Sequence, residues 1–180
     1  MSSGLNPQVG HIGLILPLCS SSATIGLALY QYPQFTAFLQ AQPSISGKTL
    51  SRYWEPMVKQ GYIVIGALGL TSCVSGLLSA RWLKQHRTLE TTDVSNWYMY
   101  GAILAATHFA FLPLIGGPIR RMIETGSNAS TLSDDEAERV NRQEMSSWFM
   151  WHTIRTIFVD VPALWCFAEG AAQSFWVVNV

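Results

Sequence analysis

Three long stretches without a charged side chain limit most strongly how this chain can fold. They cover Met1–Gly47, Gln60–Ala80 and Val94–Ile119. A charge-free apolar run of about 20 residues is the length that a helix needs to cross a hydrocarbon core of about 30 Å. A soluble helix would show a polar face at helical period, and the second and third stretches lack one. The pattern therefore favours membrane helices over a soluble all-helical domain.

The composition leads to the same fold class. The charged fraction is 12%, against a share of about 25% in ordinary soluble domains. We predict an all-α fold, an integral membrane four-helix bundle that forms a single domain over residues 1–180. The four helices are predicted over about 11–30, 57–82, 97–115 and 146–172, with a polar loop over about 120–144.

Prolines and capping residues predict where these helices end. Pro56 is expected to separate a short amphipathic approach from the second helix, and Pro113 begins a Pro- and Gly-containing stretch expected to end the third. In the polar loop, Ser133 followed by Glu136 predicts a capped helix start.

Partners and location follow from charge and hydropathy. The formal net charge is zero, so no basic surface indicates a nucleic-acid partner. We expect a multi-pass protein of an endoplasmic reticulum-type membrane, in contact with the lipid bilayer and a small apolar substrate. A homo-oligomer is left open as a further partner. The three cysteines lack CxxC spacing, which indicates neither a disulfide framework nor a metal site, and we expect no cofactor.

The predicted fourth helix carries the most unusual residues. His152, Arg155 and Asp160 project within an arc of about 140° on an ideal helix, and Glu169 lies further along. A charge at bilayer depth costs roughly 2.5–3.5 kcal/mol on insertion scales, so such groups are normally functional. An Arg155–Asp160 pair that holds the bundle together is the structural alternative.

Other candidate residues lie elsewhere in the chain. His108 is the one ionisable group of the predicted third helix, and the carboxylates of the fourth helix are potential partners for it. Glu55 either pairs with Arg52 or Lys59 at the membrane boundary or points inward as a catalytic carboxyl. Aromatic side chains are expected to bind an apolar substrate, namely Trp54, Tyr100, Trp148, Trp151 and Trp165.

These residue types favour acid–base chemistry. A carboxyl in an apolar pocket stays protonated and can act as a general acid, while a carboxylate held ionised by Arg155 can act as a base. This pairing suits the opening of an epoxide, because one group protonates the oxirane oxygen while the other activates the nucleophile. Asp160 and Glu169 are the acid and base candidates, in either order, supported by Arg155, His108, His152 and Glu55.

Four segments resemble the small four-helix membrane proteins of the DUF1772 superfamily, which includes fungal anthrone oxygenases. They are Leu16-PLCSSSATIG, Trp54…Gly61, Phe111-LPLIGGPIRRM and Trp148…His152…Arg155. The resemblance implies a membrane four-helix bundle. It also implies an alternative activity, a cofactorless anthrone oxygenase in which His152 or His108 deprotonates the anthrone before O₂ attacks.

The chain departs from the anthrone oxygenase pattern at two places. Gly116-GPI stands where those enzymes have Pro-Thr-Asn-Asn, and Trp151-HTIR followed by Val159-DVPA stands in place of their Leu-Asn-x-x-Arg type run. In these respects it is more similar to the membrane epoxide hydrolases of fungal polyketide pathways, of the citreoviridin and aurovertin type. We therefore predict an epoxide hydrolase or cyclase of secondary metabolism acting on an apolar polyketide or terpenoid. A non-enzymatic structural membrane protein is the third hypothesis.

Overall fold

The structure, a computed structural model, describes residues 7–41, 46–86, 89–127 and 130–178. Within these ranges all regular secondary structure is helical. The α-helices are α1 (Pro7–Gln40), α2 (Gly47–Gln85), α3 (Leu89–Thr107), α4 (Leu112–Thr125), α5 (Asp134–Arg155) and α6 (Val161–Val178). A 3₁₀ helix, His108–Phe111, joins α3 to α4, and a π-helical segment, Thr156–Asp160, joins α5 to α6.

Three helical stretches are long and apolar enough to cross a membrane, Ile12–Gln40, Gly47–Gln85 and Asp93–Thr125. Large apolar side chains along them face outward, for example Ile12, Ile63 and Ile103. Soluble proteins seldom expose so many large apolar side chains, so these outward-facing residues suit a lipid environment. The predicted span over 146–172 is not among the three stretches found in the described residues, and it stays a prediction.

The helices continue through residues that were expected to end them. Pro56 lies inside α2, and α4 runs through Pro118 and ends only at Thr125. Pro113 stands at the start of α4, where the missing N–H costs nothing because the first amides of a helix have no partner within it. Pro113 therefore marks the start of a helix, whereas Pro56 and Pro118 are accommodated within helices.

The chain divides into two compact units, and each contains segments distant in sequence. Unit 1 comprises the described residues of Met1–Ile25, Ala67–Phe109 and Ile157–Val180. Its core is built on Leu14, Leu83, Tyr98 and Phe167. The Tyr98 hydroxyl donates a hydrogen bond of 2.9 Å to the carbonyl oxygen of Leu14, which satisfies this buried polar group.

Unit 2 comprises the described residues of Gly26–Gly66 and Ala110–Thr156. Its buried core is apolar and aromatic, made of Phe35, Leu50, Trp54, Ile115, Ile119, Met122, Met145 and Trp148. A buried polar network lies in the same unit. The Asn141 amide donates to the carbonyl oxygen of Gly47 at 2.7 Å and to Ser51 Oγ at 3.0 Å, and Thr125 Oγ1 donates to Asn141 Oδ1 at 3.0 Å.

The start of α5 has the capping box that the sequence predicts. Ser133 Oγ accepts from the Glu136 amide, and Glu136 Oε2 accepts from the Ser133 amide at 2.9 Å. Asp134 accepts hydrogen bonds from Ser46 Oγ at 2.8 Å and from the Lys48 amide at 3.2 Å. The Ser46 hydroxyl and the Lys48 amide lower the pKa of Asp134, and the Ser133 amide and hydroxyl lower that of Glu136.

A pH dependence follows from these two carboxylates. A carboxyl whose pKa is lower in the folded state stabilises the fold above its unfolded-state pKa, and this contribution is lost as the pH falls through the folded value. We expect the thermal midpoint of the protein in detergent to fall below about pH 4.5, the ordinary value for glutamate. The double variant Asp134→Asn, Glu136→Gln should show a weaker dependence of the thermal midpoint on pH in this range. An unchanged dependence in the double variant would show that other groups cause it.

Candidate functional site

In unit 1, His108 and Asp160 form a buried pair. His108 Nδ1 lies 2.7 Å from Asp160 Oδ1, and the two side chains are 3% and 4% exposed. His108 begins the 3₁₀ helix after α3, and Asp160 ends the π-helical segment before α6. Both residues thus lie where the backbone departs from α-helical geometry, and such departures are frequent at functional sites.

The hydrogen bond between them determines which imidazole atom can act as a base. Asp160 accepts the proton of Nδ1–H, so the lone pair of the imidazole lies on Nε2. A carboxylate in this position holds the ring in one orientation and stabilises the imidazolium that forms when Nε2 takes a proton. The pair is therefore suited to general base catalysis.

In unit 2, His152 and Arg155 form a second buried cluster on the last turn of α5. His152 Nε2 lies 3.2 Å from the carbonyl oxygen of Ala28, and Arg155 Nη2 lies 3.1 Å from His152 Nδ1. The His152 ring stacks on Trp148, with ring centroids 4.7 Å apart and planes 9° from parallel. The Tyr32 ring also packs near His152, with ring centroids 5.1 Å apart. The Tyr32 hydroxyl forms a hydrogen bond of 2.7 Å with Thr153 Oγ1.

These contacts favour one protonation state for His152. A carbonyl oxygen only accepts, so Nε2 carries the proton, and a guanidinium only donates, so Nδ1 carries the lone pair. The ring is then neutral with both nitrogens engaged. In this arrangement His152 orients Arg155, and it is poorly placed to take a proton from a substrate.

The two predicted glutamates have different surroundings. Glu169 is half-buried on α6, and Gln173 Nε2 donates to it at 3.4 Å. Glu55 pairs with Lys59 at 2.8 Å, and the side chains of both residues are at least half exposed. The sequence left two interpretations open for Glu55, an ion pair at the membrane boundary or an inward-pointing catalytic carboxyl. The contact with Lys59 corresponds to the first.

The five predicted substrate-binding aromatics divide into two groups. Trp54 and Trp148 are buried in the core of unit 2 with ring centroids 5.8 Å apart, and Trp151 packs against that core. Tyr100 and Trp165, in unit 1, are 56% and 63% exposed, so their side chains face outward. The first group thus lies in or against the core of unit 2 and the second on an outer surface, and a role of either group in substrate binding stays a prediction.

The sequence alone missed two partners of His152. The Ala28 carbonyl belongs to the backbone, and Tyr32 is not among the aromatic residues that the sequence indicated for the site. No sequence pattern marks a contact between residues more than 100 positions apart. Among the described residues no group of three or more His, Cys, Asp or Glu side chains lies together as metal ligands.

Comparison with known proteins finds two distant relatives. The chain is 24% identical over 168 residues to the epoxidase gkaX of Penicillium citrinum, an alignment covering 89% of this chain and 92% of that protein. It is 23% identical over 163 residues to the probable epoxidase scpX of Mollisia scopiformis, covering 89% and 94%. No family model matches the chain, so the resemblance to DUF1772 stays a prediction. No solved structure matches it.

Proposed function

We propose that this protein is a membrane enzyme that opens an epoxide on an apolar substrate by acid–base catalysis, with His108 as the base. The buried His108–Asp160 hydrogen bond of 2.7 Å is the observation that carries this proposal. The two relatives with epoxidase names support an epoxide as the functional group concerned. The outward apolar faces of the three membrane-length helices support a substrate that reaches the protein from lipid.

The proposed reaction needs no co-reactant besides the nucleophile. His108 Nε2 takes the proton of a water molecule or of a hydroxyl group of the substrate, and the resulting oxygen forms a bond to one epoxide carbon. The carbon–oxygen bond of the ring breaks, its electron pair passes to the ring oxygen, and that oxygen takes the proton of the His108 imidazolium. The imidazolium, held by Asp160, can return the proton it took, so the enzyme ends in its starting state.

Helix geometry supports His108 as the partner of Asp160, in place of Glu169. Nine residues separate Asp160 from Glu169, which corresponds to a rise of about 13 Å and a rotation of about 180° on an ideal helix. An acid and a base that act on one three-membered ring must both lie within hydrogen-bond reach of the reacting atoms. Asp160, at the end of the π-helical segment, and Glu169, in α6, are too far apart on this geometry to do so together.

A substrate comparison tests the proposal. Membranes containing the protein are given trans-stilbene oxide, as an apolar epoxide, or trans-stilbene, as the matched alkene, with membranes lacking the protein as control. We expect conversion of the epoxide to the diol above the control rate and no conversion of the alkene. Conversion of stilbene to its oxide, with the oxide left intact, would overturn the proposal and indicate an enzyme that forms epoxides.

That reversed outcome is the second candidate function, favoured by the names of the two relatives. An epoxidase adds one oxygen atom of O₂ to an alkene and reduces the other to water, which consumes two electrons and two protons from a reductant. In such an enzyme the His108–Asp160 pair would deliver protons during oxygen reduction. The alkene arm of the comparison measures this activity directly.

A further inference from the structure

Unit 2 contains a buried hydrogen-bond donor for which the described part of the chain supplies no partner. The Trp54 side chain is 1% exposed, and its Nε1–H makes no hydrogen bond to any residue that the structure describes. Buried tryptophan N–H groups usually have a partner, because leaving a donor unpaired away from water destabilises the fold. Phenylalanine would fill an aromatic position without this cost, as Phe35 does beside it.

The surroundings of Trp54 are suited to an apolar molecule. Phe35 stacks on Trp54 with ring centroids 4.5 Å apart and planes 18° from parallel, and Trp148 meets it at 75°. Met122 and Met145 belong to the same core cluster, and the partly buried Met57 packs against it. Methionine side chains are unbranched and adapt to irregular shapes, so this part of the core can rearrange around a ligand more readily than one of branched residues.

We propose that the Trp54 N–H donates a hydrogen bond to the oxygen atom of a bound neutral, apolar molecule, such as a ketone or an ether. The aromatic rings then contact its hydrocarbon part. An uncharged oxygen fits because the adjoining core residues are apolar and would leave an anion without solvation. This binding site does not depend on epoxide opening, which uses residues of unit 1, so the two proposals can fail separately.

Binding of two matched probes tests the site. The purified full-length protein in detergent is titrated with radiolabelled acetophenone, which has a carbonyl oxygen, and with ethylbenzene, which has none. Trp54→Phe should weaken acetophenone binding about fivefold, the effect of one hydrogen bond, and leave ethylbenzene binding unchanged. Its thermal midpoint should equal or exceed that of the wild-type protein, since an unpaired donor has been removed. Trp82→Phe, in unit 1, serves as the control and should change neither affinity.

Equal acetophenone affinity in the wild-type protein and Trp54→Phe would overturn the proposal. A lower thermal midpoint with equal loss of both probes would also overturn it, because the N–H would then serve the fold. If the variant does not fold, the wild-type protein labelled with ¹⁵N in its seven tryptophan indoles gives the same answer. One indole N–H signal should shift to lower field with acetophenone and not with ethylbenzene, and the absence of such a shift contradicts the site.

Discussion

Replacing His108 by alanine is expected to lower epoxide turnover by a factor of about 10² to 10⁴, the usual contribution of a general base. The variant retains Asp160 but loses the atom that takes the proton. Imidazole added to the assay should restore part of the activity of His108→Ala, because a free imidazole can occupy the vacated position beside the carboxylate. Turnover is measured in detergent, with circular dichroism to verify that the helices remain folded.

Asp160→Asn provides the matched test of the pair. Asparagine keeps the size of the side chain but cannot stabilise an imidazolium, so turnover should also fall, and imidazole should not restore it. The His108→Ala, Asp160→Asn double variant should lose little more activity than His108→Ala alone, since two residues that act as a unit have non-additive effects. Full activity in His108→Ala, or independent losses that multiply in the double variant, would contradict the assigned roles.

Gly47→Ala is expected to destabilise the protein by about 1–3 kcal/mol, the usual range for overpacking a core. A Cβ atom at Gly47 would collide with the Glu138 amide nitrogen, and it would lie 2.6 Å from the carbonyl carbon of Ala137 and 2.8 Å from the Glu138 Cα atom. These are backbone atoms of α5, and they cannot move aside as a flexible side chain can. The Gly47 carbonyl also accepts from Asn141, so a displaced backbone would disturb the buried polar network.

Gly66→Ala is the control, because Gly66 lies in the same helix and a Cβ there would meet no atom within 4 Å. Alanine is a better helix former than glycine, so this change should raise stability by about 0.5–1 kcal/mol or leave it unchanged. Both variants are compared by unfolding in detergent with increasing denaturant. Equal stability of Gly47→Ala and the wild-type protein would show that α2 and α5 approach less closely at this point.

The helical class and the three membrane-length stretches could be predicted because hydropathy and the absence of charge act over about 20 residues. The helix boundaries were harder to predict from the sequence. Pro56 and Pro118 are strong helix breakers in isolated helices, yet tertiary packing carries α2 and α4 through them. The capped start of α5 was predictable because the Ser133–Glu136 motif is local in sequence.

The candidate site could be predicted in part. The sequence indicated that carboxylates of the predicted fourth helix were potential partners for His108, and Asp160 is the one in contact with it. Periodicity could not reveal that Tyr100 and Trp165 face outward, because an apolar ring suits a lipid-facing surface as well as a pocket. The contact of His152 with the Ala28 carbonyl could not be predicted from residue types, since every residue has a backbone carbonyl group.

The source of oxygen in the product tests the central proposal most directly. Membranes containing the protein are incubated with trans-stilbene oxide in H₂¹⁸O under ¹⁶O₂, and separately in H₂¹⁶O under ¹⁸O₂, and the product is analysed by mass spectrometry. Epoxide opening predicts a diol with one ¹⁸O atom in the first experiment and none in the second. Both incubations are repeated with trans-stilbene, and an intact stilbene oxide together with ¹⁸O₂-derived oxygen in a product formed from stilbene would contradict it.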